Sequence, residues 1–564
     1  SDLASGGGRV VLRRLAAADL VQIREAPRPP FAGAPARAVE VAAPPAAGAT
    51  LLLGDAEARS SWIDETVAAA VRSGGRVLVV VPEIADVPLF AERLRGRAAV
   101  GVLHSDLTAR DRRAVWARIR EGAVDVVIGT RSALFAPLPA LRLIVVDDEQ
   151  AEAYKSESAP RYHARDVARG RARLEGARLV LGSAAPSVET YAAAAAGEFS
   201  TVRLAPRRPA PAVTVVDMRA ERRRGHIGYL SRTLVQAITR HLRARGSVAL
   251  VVQQTGYARV LLCRECGAAV RCPACDIAMA YDREDGTLRC RVCGRTGRAP
   301  DVCPRCGGVD LRGVGAGTKR VEEIVRRLFP ALRLARLDAE TARGAEHLVR
   351  DFAGGRVRLL VGTVALLRAH RARPSLVGVI DADGPMYLPD FRAAERTLQR
   401  LRAAIDLVHP PAGVDVTAAG RGGGRESAAA GPAPEAVLQT RVRDHPVVRA
   451  IATGRDAAFY DEELAARRSF GYPPYARLVR VVAEAGAPAP ARALAGRVAA
   501  AARAHHLDVL GPAPLRGAGG TRVQCVLRGA DPAAVRDGAR AIVAEIAPPA
   551  GARLVVDVDP LEIV

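Results

Sequence analysis

The stretch LLLGDAEARSSWIDE at 51–65 is an apolar strand, a turn opened by Gly54 and the first turns of a helix. It heads a series of strand candidates at Val77 to Val81, Val124 to Ile128, Leu143 to Val146 and Arg178 to Leu181. Amphipathic helical stretches lie between several of them, and that alternation predicts a parallel α/β sheet. A second series starts at Val213-Thr214-Val215-Val216-Asp217. It continues at Val248 to Val252, Leu332 to Leu337, Arg358 to Val361 and Leu376 to Ile380. Two α/β lobes are therefore expected. From about 441 the texture changes to alternating strands and helices ending in a strand, Leu554 to Val558, which predicts a C-terminal α+β domain. Residues 9–25 read as helix-like, residues 26–49 as a Pro-, Ala- and Gly-rich linker and residues 410–435 as a mobile loop.

A chain of 564 residues has room for about four domains. With 49% hydrophobic, 25% charged and 4% aromatic residues, it should fold around cores of Ala, Val and Leu. No run approaches the roughly 18 apolar residues of a membrane span, and Ser1-Asp2-Leu3 opens no signal pattern. A fragment or processed form of a cytoplasmic protein is expected. The net charge is +23, carried by two lysines, Lys155 and Lys319, and 81 arginines. Such a surplus attracts phosphate backbones and favours a nucleic-acid partner.

Eight of the nine cysteines fall between Cys263 and Cys306, as the C-x-x-C units Cys263/Cys266, Cys272/Cys275, Cys290/Cys293 and Cys303/Cys306. Each unit can place two thiolates on one metal, and four thiolates close a structural zinc site. The first two units are cramped for sharing an ion, whereas the second and third have zinc-ribbon spacing. A nested pairing follows: Cys272, Cys275, Cys290 and Cys293 on one ion, Cys263, Cys266, Cys303 and Cys306 on the other. Redox chemistry or an iron–sulfur cluster are the alternatives. Cys525 lies in a strand-like run and reads as a buried small hydrophobe.

Two α/β lobes and a basic charge suggest a nucleic-acid motor, which would need a phosphate cradle. A P-loop, G-x-x-x-x-G-K-[ST], grips phosphates with backbone amides and neutralises them with Lys. No lysine precedes Lys155, and neither lysine sits in that pattern. After Gly54, Asp55 and Glu57 put negative charge where phosphates would sit, and Ser60 and Ser61 are candidate helix caps. Asp147-Asp148-Glu149-Gln150 ends an apolar strand, where a magnesium-binding carboxylate would sit.

Several motifs carry a specific resemblance. VLVVVPEI at 77–84, LHS at 103–105, IGTRSALFAPL at 128–138, YKSESAPRYHARDVA at 154–168 and LGSAAPS at 181–187 are joined by the eight cysteines. VGAGT at 314–318, PDFRAAER at 389–396, GYPPYARL at 471–478, VLGPAP at 509–514 and DVDP at 557–560 follow. From about residue 50 onward, the chain resembles the primosomal protein N′ (PriA) family of bacterial replication-restart factors, in its degenerate actinobacterial form. The resemblance implies two RecA-like lobes of a superfamily 2 helicase core, a two-zinc insertion in lobe two and a C-terminal domain. The boundaries expected are 1–45, remnant of a winged-helix region with its linker; 46–205, lobe one; 206–262 and 307–440, lobe two; 263–306, the zinc module; and 441–564, the C-terminal domain. The family's DNA-end-binding domain is not recognised in this chain.

The departures bear on activity. Arg59-Ser60-Ser61 stands where similar proteins carry G-K-T, and Asp147-Asp148-Glu149-Gln150 where they carry D-E-E-H. Asp147 keeps the family's metal-binding carboxylate, and Ala185 replaces a Thr of motif three. GTVALLRA at 362–369 puts Arg368 and Ala369 in place of Lys-Gly. The arginine-finger position falls on Leu407, with a partial echo around Arg421. Gly54, Ser60, Ser61, Asp147 and Asp148 are thus a degenerate nucleotide site, and neither ATP nor Mg2+ is expected there. Residues 154–168 resemble the family's aromatic-rich, DNA-sensing loop: Tyr154 and Tyr162 would stack on bases, and Lys155, Arg161 and Arg165 would meet phosphates. The alternative is a surface loop folded back on lobe one.

The reading expected is a restart factor, without helicase activity of its own, that binds abandoned or branched forks and promotes primosome assembly and helicase reloading. By resemblance its partners are forked DNA, primosome proteins, single-stranded DNA-binding protein and the replicative helicase machinery. A nucleoid-associated monomer with no membrane contact is expected. An active ATP-dependent 3′→5′ DNA helicase and a zinc-ribbon interaction module without a DNA role are the competing readings.

Overall fold

The computed structural model describes residues 48–563, except 227, 254–259, 283–284, 314–317, 339–340, 342–344, 370, 411–431 and 516–520. The readings at 9–25, in the linker up to 47, at 314–317 and across most of the 410–435 loop lie outside the described residues, as does Arg421.

Seven described strands form a wholly parallel sheet in the order β3-β4-β2-β5-β6-β1-β7. They are β1 (Ala49–Leu53), β2 (Arg76–Val80), β3 (Val100–Leu103), β4 (Val126–Gly129), β5 (Leu141–Val146), β6 (Arg178–Ser183) and β7 (Ser200–Arg203). The apolar runs have a simple cause. Leu78 and Val80 enter one core while Val77, Val79 and Val81 enter the other, so both faces of β2 must be apolar. The short, partly polar β3 and β7 give no such signal.

The second lobe begins with β8 (Ala212–Asp217) and β9 (Val248–Val252). The cysteine module follows: β10 (Leu261–Cys263), β11 (Ala280–Tyr281), β12 (Thr287–Arg289), β13 (Thr296–Arg298) and β14 (Leu311–Gly313). β10 pairs antiparallel with β14, so the chain leaves and re-enters the lobe at one place. Then come β15 (Leu334–Leu337), β16 (Leu359–Gly362), β17 (Leu376–Ile380) and β18 (Glu435–Thr440). The described strands of this lobe form a parallel sheet in the order β15-β16-β9-β17-β18-β8. β18 escapes a sequence reading because Glu435, Gln439 and Thr440 speak against a buried strand; pairing between β17 and β8 buries it nonetheless.

The C-terminal sheet is antiparallel, ordered β20-β21-β19-β22, from β19 (Arg477–Ala485), β20 (Asp508–Pro514), β21 (Arg522–Gly529) and β22 (Ala552–Val558). Helices Pro488–Ala504 and Pro532–Glu545 pack on it, and Cys525 is buried in that core, its thiol donating to the Ala495 carbonyl. Helices Pro446–Thr453 and Ala457–Phe470, assigned to this domain by the texture change at 441, instead share a core with lobe two. Val447, Ile451 and Phe459 pack there with Val377 and Leu398.

One buried charge network joins the two lobes through helix Ala457–Phe470. Glu395 of lobe two accepts from the Val188 N–H of lobe one (3.0 Å), from Arg392 (3.0 Å) and from Arg467 of helix Ala457–Phe470 (2.7 Å). Glu189 of lobe one pairs with Arg392 and faces Arg467 at 3.6 Å. Burial opposes ionisation of both glutamates. Arg392 and Arg467 outweigh it and hold both below the usual carboxylate range. Tyr460 stacks on Tyr191 at 4.0 Å and donates to the Pro186 carbonyl. Replacing Arg467, which is 2% exposed, leaves Glu395 and Glu463 undercompensated. Arg467→Met should cost about 3 kcal/mol of unfolding free energy, read from the urea midpoint. An unchanged midpoint would show that the pairing contributes nothing to stability.

Candidate functional site

The carboxyl ends of β1, β6 and β5 lie side by side, where parallel α/β sheets place ligands. At β1 the connection to the helix is short. The strand ends at Leu53, helix Ala56–Arg72 begins three residues later, and only Gly54 and Asp55 connect them. Asp55 is the helix cap, its carboxylate accepting from the Ala58 N–H at 2.8 Å. Ser60 and Ser61 therefore do not cap: they lie inside the helix, because the turn is shorter than the sequence suggests.

Arg59, which stands where the G of the family's G-K-T would be, is 1% exposed. Its Nε donates to Asp147 Oδ1 at 2.9 Å, one Nη to Asp148 Oδ1 at 2.7 Å and the other to the Gly54 carbonyl at 2.9 Å. Burial works against the guanidinium charge, but Asp147 and Asp148 outweigh it and hold its pKa above the ordinary value. Gly182 on β6 makes room: a Cβ there would stand 2.6 Å from Asp147 Oδ1. Asp148 adopts a positive φ of 48°, which turns its carboxylate back towards Arg59. Gln150 donates to Asp148 at 3.3 Å and accepts from Ser183 at 2.6 Å, linking the acidic turn to the end of β6. Glu149, fully buried, accepts from the Ser187 N–H and from Arg165.

On the lobe-two side of the cleft, the expected arginine-finger position falls on a buried leucine. Leu407 is 2% exposed. Beside it Asp406 is half-buried, its carboxyl pushed up to about 7 by burial, with Arg59 pulling the other way and Asp55 and Asp148 adding to the rise. Glu57 is tied to Arg208 at 2.9 Å and lies near His409 and Arg373 at 3.4 and 3.5 Å. Arg368 pairs with Glu83 across the lobes at 2.7 Å. The arrangement neutralises its own charge with protein groups.

The eight cysteines form two groups, Cys263, Cys266, Cys303 and Cys306, and Cys272, Cys275, Cys290 and Cys293, each with its sulfurs within 4.8 Å of one another. Sulfur pairs across the units stand 3.6–3.7 Å apart. A tetrahedral ion with bonds of about 2.3 Å needs an edge of about 3.8 Å, so the donor set fits such an ion. The four turns are alike. The fourth residue after each leading cysteine (Gly267, Asp276, Gly294, Gly307) has positive φ and donates its N–H to that cysteine's carbonyl. The module is seated by Tyr472, which donates to the Cys275 carbonyl, and by Gln524, which donates to the Arg291 carbonyl.

The residues singled out in 154–168 divide. Tyr154 is fully buried, its hydroxyl donating to the Val80 and Asp147 carbonyls, and it offers no ring face to a base. Lys155 reaches the C-terminal domain, donating to the Val558 and Asp559 carbonyls and pairing with Asp557 at 2.8 Å. Arg165 is held by Glu149 at 2.9 Å and by Ser187. Arg161 and Tyr162 are half-buried, and Arg161 makes no ion pair among the described residues.

Asp406 gives a pH signature. Folded, it keeps its proton to about pH 7; its ordinary value is 3.8. The native state therefore binds more protons across that window, and stability falls as pH rises through it, then levels. Asp406→Asn should remove this component of the slope, read as Tm against pH. An identical profile would show that Asp406 titrates normally.

The family model "Primosomal protein N C-terminal domain" matches residues 468–561. The replication restart protein PriA of Bacillus subtilis is 34% identical over 82% of this chain and 57% of its own length. That of Treponema pallidum is 34% identical over 88% of this chain and 74% of its own. The chain spans about half the length of several curated relatives, 49% for the Synechocystis protein. A solved structure of RecG bound to a three-way DNA junction overlaps 74% of this chain and 44% of its own, at 13% identity and a TM-score of 0.40, too loose a superposition to bear on the site.

Proposed function

The chain belongs to the PriA family of replication restart proteins, and on that premise we propose that it recognises abandoned or branched forks and promotes primosome assembly and helicase reloading without hydrolysing ATP. The observation that carries the reading is Arg59 on Asp147 and Asp148. Phosphoryl transfer depends on positioned cations and amides around the phosphates. Here the magnesium carboxylate is engaged by a protein cation, the turn after β1 is two residues long, and Leu407 stands at the finger position. Loss of an arginine finger alone is worth roughly 10³–10⁵ in rate.

The cysteine groups are read as two structural zinc sites. Each has four thiolates and no open position for a substrate, and zinc there would fix the fold of the module. The net charge of +23 supports DNA as the partner, bound through backbone charge and shape. Primosome proteins, single-stranded DNA-binding protein and the replicative helicase machinery are the protein partners that family membership supports, with the nucleoid as the place of action. No described helix is long and apolar enough to cross a membrane.

The test uses the zinc-loaded chain, Mg-ATP and labelled forked and duplex DNA. We expect tighter binding to the fork than to plain duplex, no ATP binding and no DNA-stimulated turnover. Equal affinity for fork and duplex would overturn fork recognition. Turnover abolished by Asp147→Asn would establish the helicase reading instead.

A further inference from the structure

The two cysteine groups share one kind of ligand but not one environment. Cys272, Cys275 and Cys290 of the inner group belong to a core with Phe391, Tyr472 and Ile563. The turn that carries Cys293 is pressed on the C-terminal domain: a Cβ on Gly294 would stand 2.7 Å from the Pro512 carbonyl oxygen. The outer group, Cys263, Cys266, Cys303 and Cys306, is packed on one side. Its first turn lies against lobe two, where a Cβ on Gly267 would stand 2.7 Å from the Arg441 carbonyl oxygen. Its second turn is open. A Cβ on Gly307, the counterpart of Gly294, would meet nothing within 4 Å. Asp301, Val302, Pro304 and Arg305 are exposed, and Cys306 is the one exposed cysteine of the nine.

Thiolate oxidation follows access and local positive charge, and a metal keeps its cysteine ligands in the reactive, deprotonated form. Cys306 meets these conditions. Its neighbour Arg305 makes no ion pair among the described residues. A resolving thiolate is in place: Cys263 Sγ lies 3.6 Å from Cys306 Sγ. The outer group also has its own mechanical place. Cys263 ends β10 and stands opposite Leu311 of β14, so the group clamps the two strands by which the module leaves and re-enters lobe two. The inner group holds the part seated by Tyr472 and Gln524.

We propose that Cys306 is an oxidation site for a hydroperoxide, with Cys263 as its resolving partner, and that the disulfide they form releases the outer metal ion while the inner one stays. The Cys306 thiolate attacks one peroxide oxygen; the S–O bond forms, the O–O bond breaks and hydroxide leaves. The Cys263 thiolate then attacks the sulfenic sulfur, forming the disulfide and expelling a second hydroxide. Two thiolates lose two electrons, which reduce one peroxide to two hydroxide ions. The two thiolates that remain are too few to close a structural site. The inference rests on the zinc reading above and makes the outer site a redox-sensitive joint.

The full zinc-loaded chain is assayed for metal by elemental analysis, then treated with hydrogen peroxide while a chromogenic indicator follows free zinc. One zinc per chain should leave in a fast phase and the second in a separate, slower phase. Peptide mapping after the fast phase should find a Cys263–Cys306 disulfide and free thiols at Cys272, Cys275, Cys290 and Cys293. Amide exchange should rise in 261–267 and 303–313 and stay unchanged in 272–293. A thiol reductant with added zinc should reverse these changes. Arg305→Glu, outside the ligand set, should slow the fast phase; an unchanged rate would overturn the part given to its charge. Release of both ions in one phase, or first oxidation within the inner group, would overturn the proposal. A chain that holds no zinc, or holds an iron–sulfur cluster, would instead overturn the zinc reading on which it rests.

Discussion

A buried guanidinium needs carboxylates within hydrogen-bonding reach, and a buried carboxylate needs a cation; Arg59, Asp147 and Asp148 meet both needs in one cluster. Much of the first lobe's carboxyl edge follows from it. Gly182 must lack a side chain because Asp147 lies where its Cβ would be, and Asp148 must turn to a positive φ to reach the same cation. The Gly54 carbonyl takes the third guanidinium contact, so the turn after β1 points a carbonyl, not an amide, into the cleft. Electrostatically, the carboxylates at this edge are met by an internal guanidinium.

Ion pairs also cross between the lobes. A motor opens and closes its cleft as nucleotide comes and goes. Here Glu57, Arg208, Arg368 and Glu83 join the lobes at the cleft, and Arg467 reaches from helix Ala457–Phe470 to Glu395 and Glu189 at their opposite junction. Tyr472 and Gln524 then couple the C-terminal domain to the cysteine module. These contacts tie the lobes to each other and the C-terminal domain to the cysteine module.

Parts of this were legible in the sequence because they depend on local chemistry. Thiolate pairs two residues apart announce metal turns, and parallel strands buried on both faces announce themselves as apolar runs. The missing lysine was readable by inspection. What was not legible depends on partners distant in sequence. Arg59 is 88 residues from Asp147, and nothing near it says that it turns inward. Tyr154 and Lys155 look like an exposed nucleic-acid loop until Val80 and the distant Val558 claim their polar atoms. Ser60 and Ser61 look like caps until Asp55 takes that role. Gly after the second cysteine was visible in three turns; Asp276, in the fourth, takes a left-handed conformation that its side-chain type only permits.

On the proposal of a chain that does not hydrolyse ATP, Arg59 stands where a nucleotide phosphate and its ions would lie. A crystal structure of the zinc-loaded chain grown in millimolar Mg-AMP-PNP tests it most directly. The account predicts Arg59 still on Asp147, with the Nε–Oδ1 separation near 2.9 Å, and no nucleotide at the carboxyl end of β1. Nucleotide phosphates in that place, with Arg59 swung away and Mg2+ on Asp147, would contradict it.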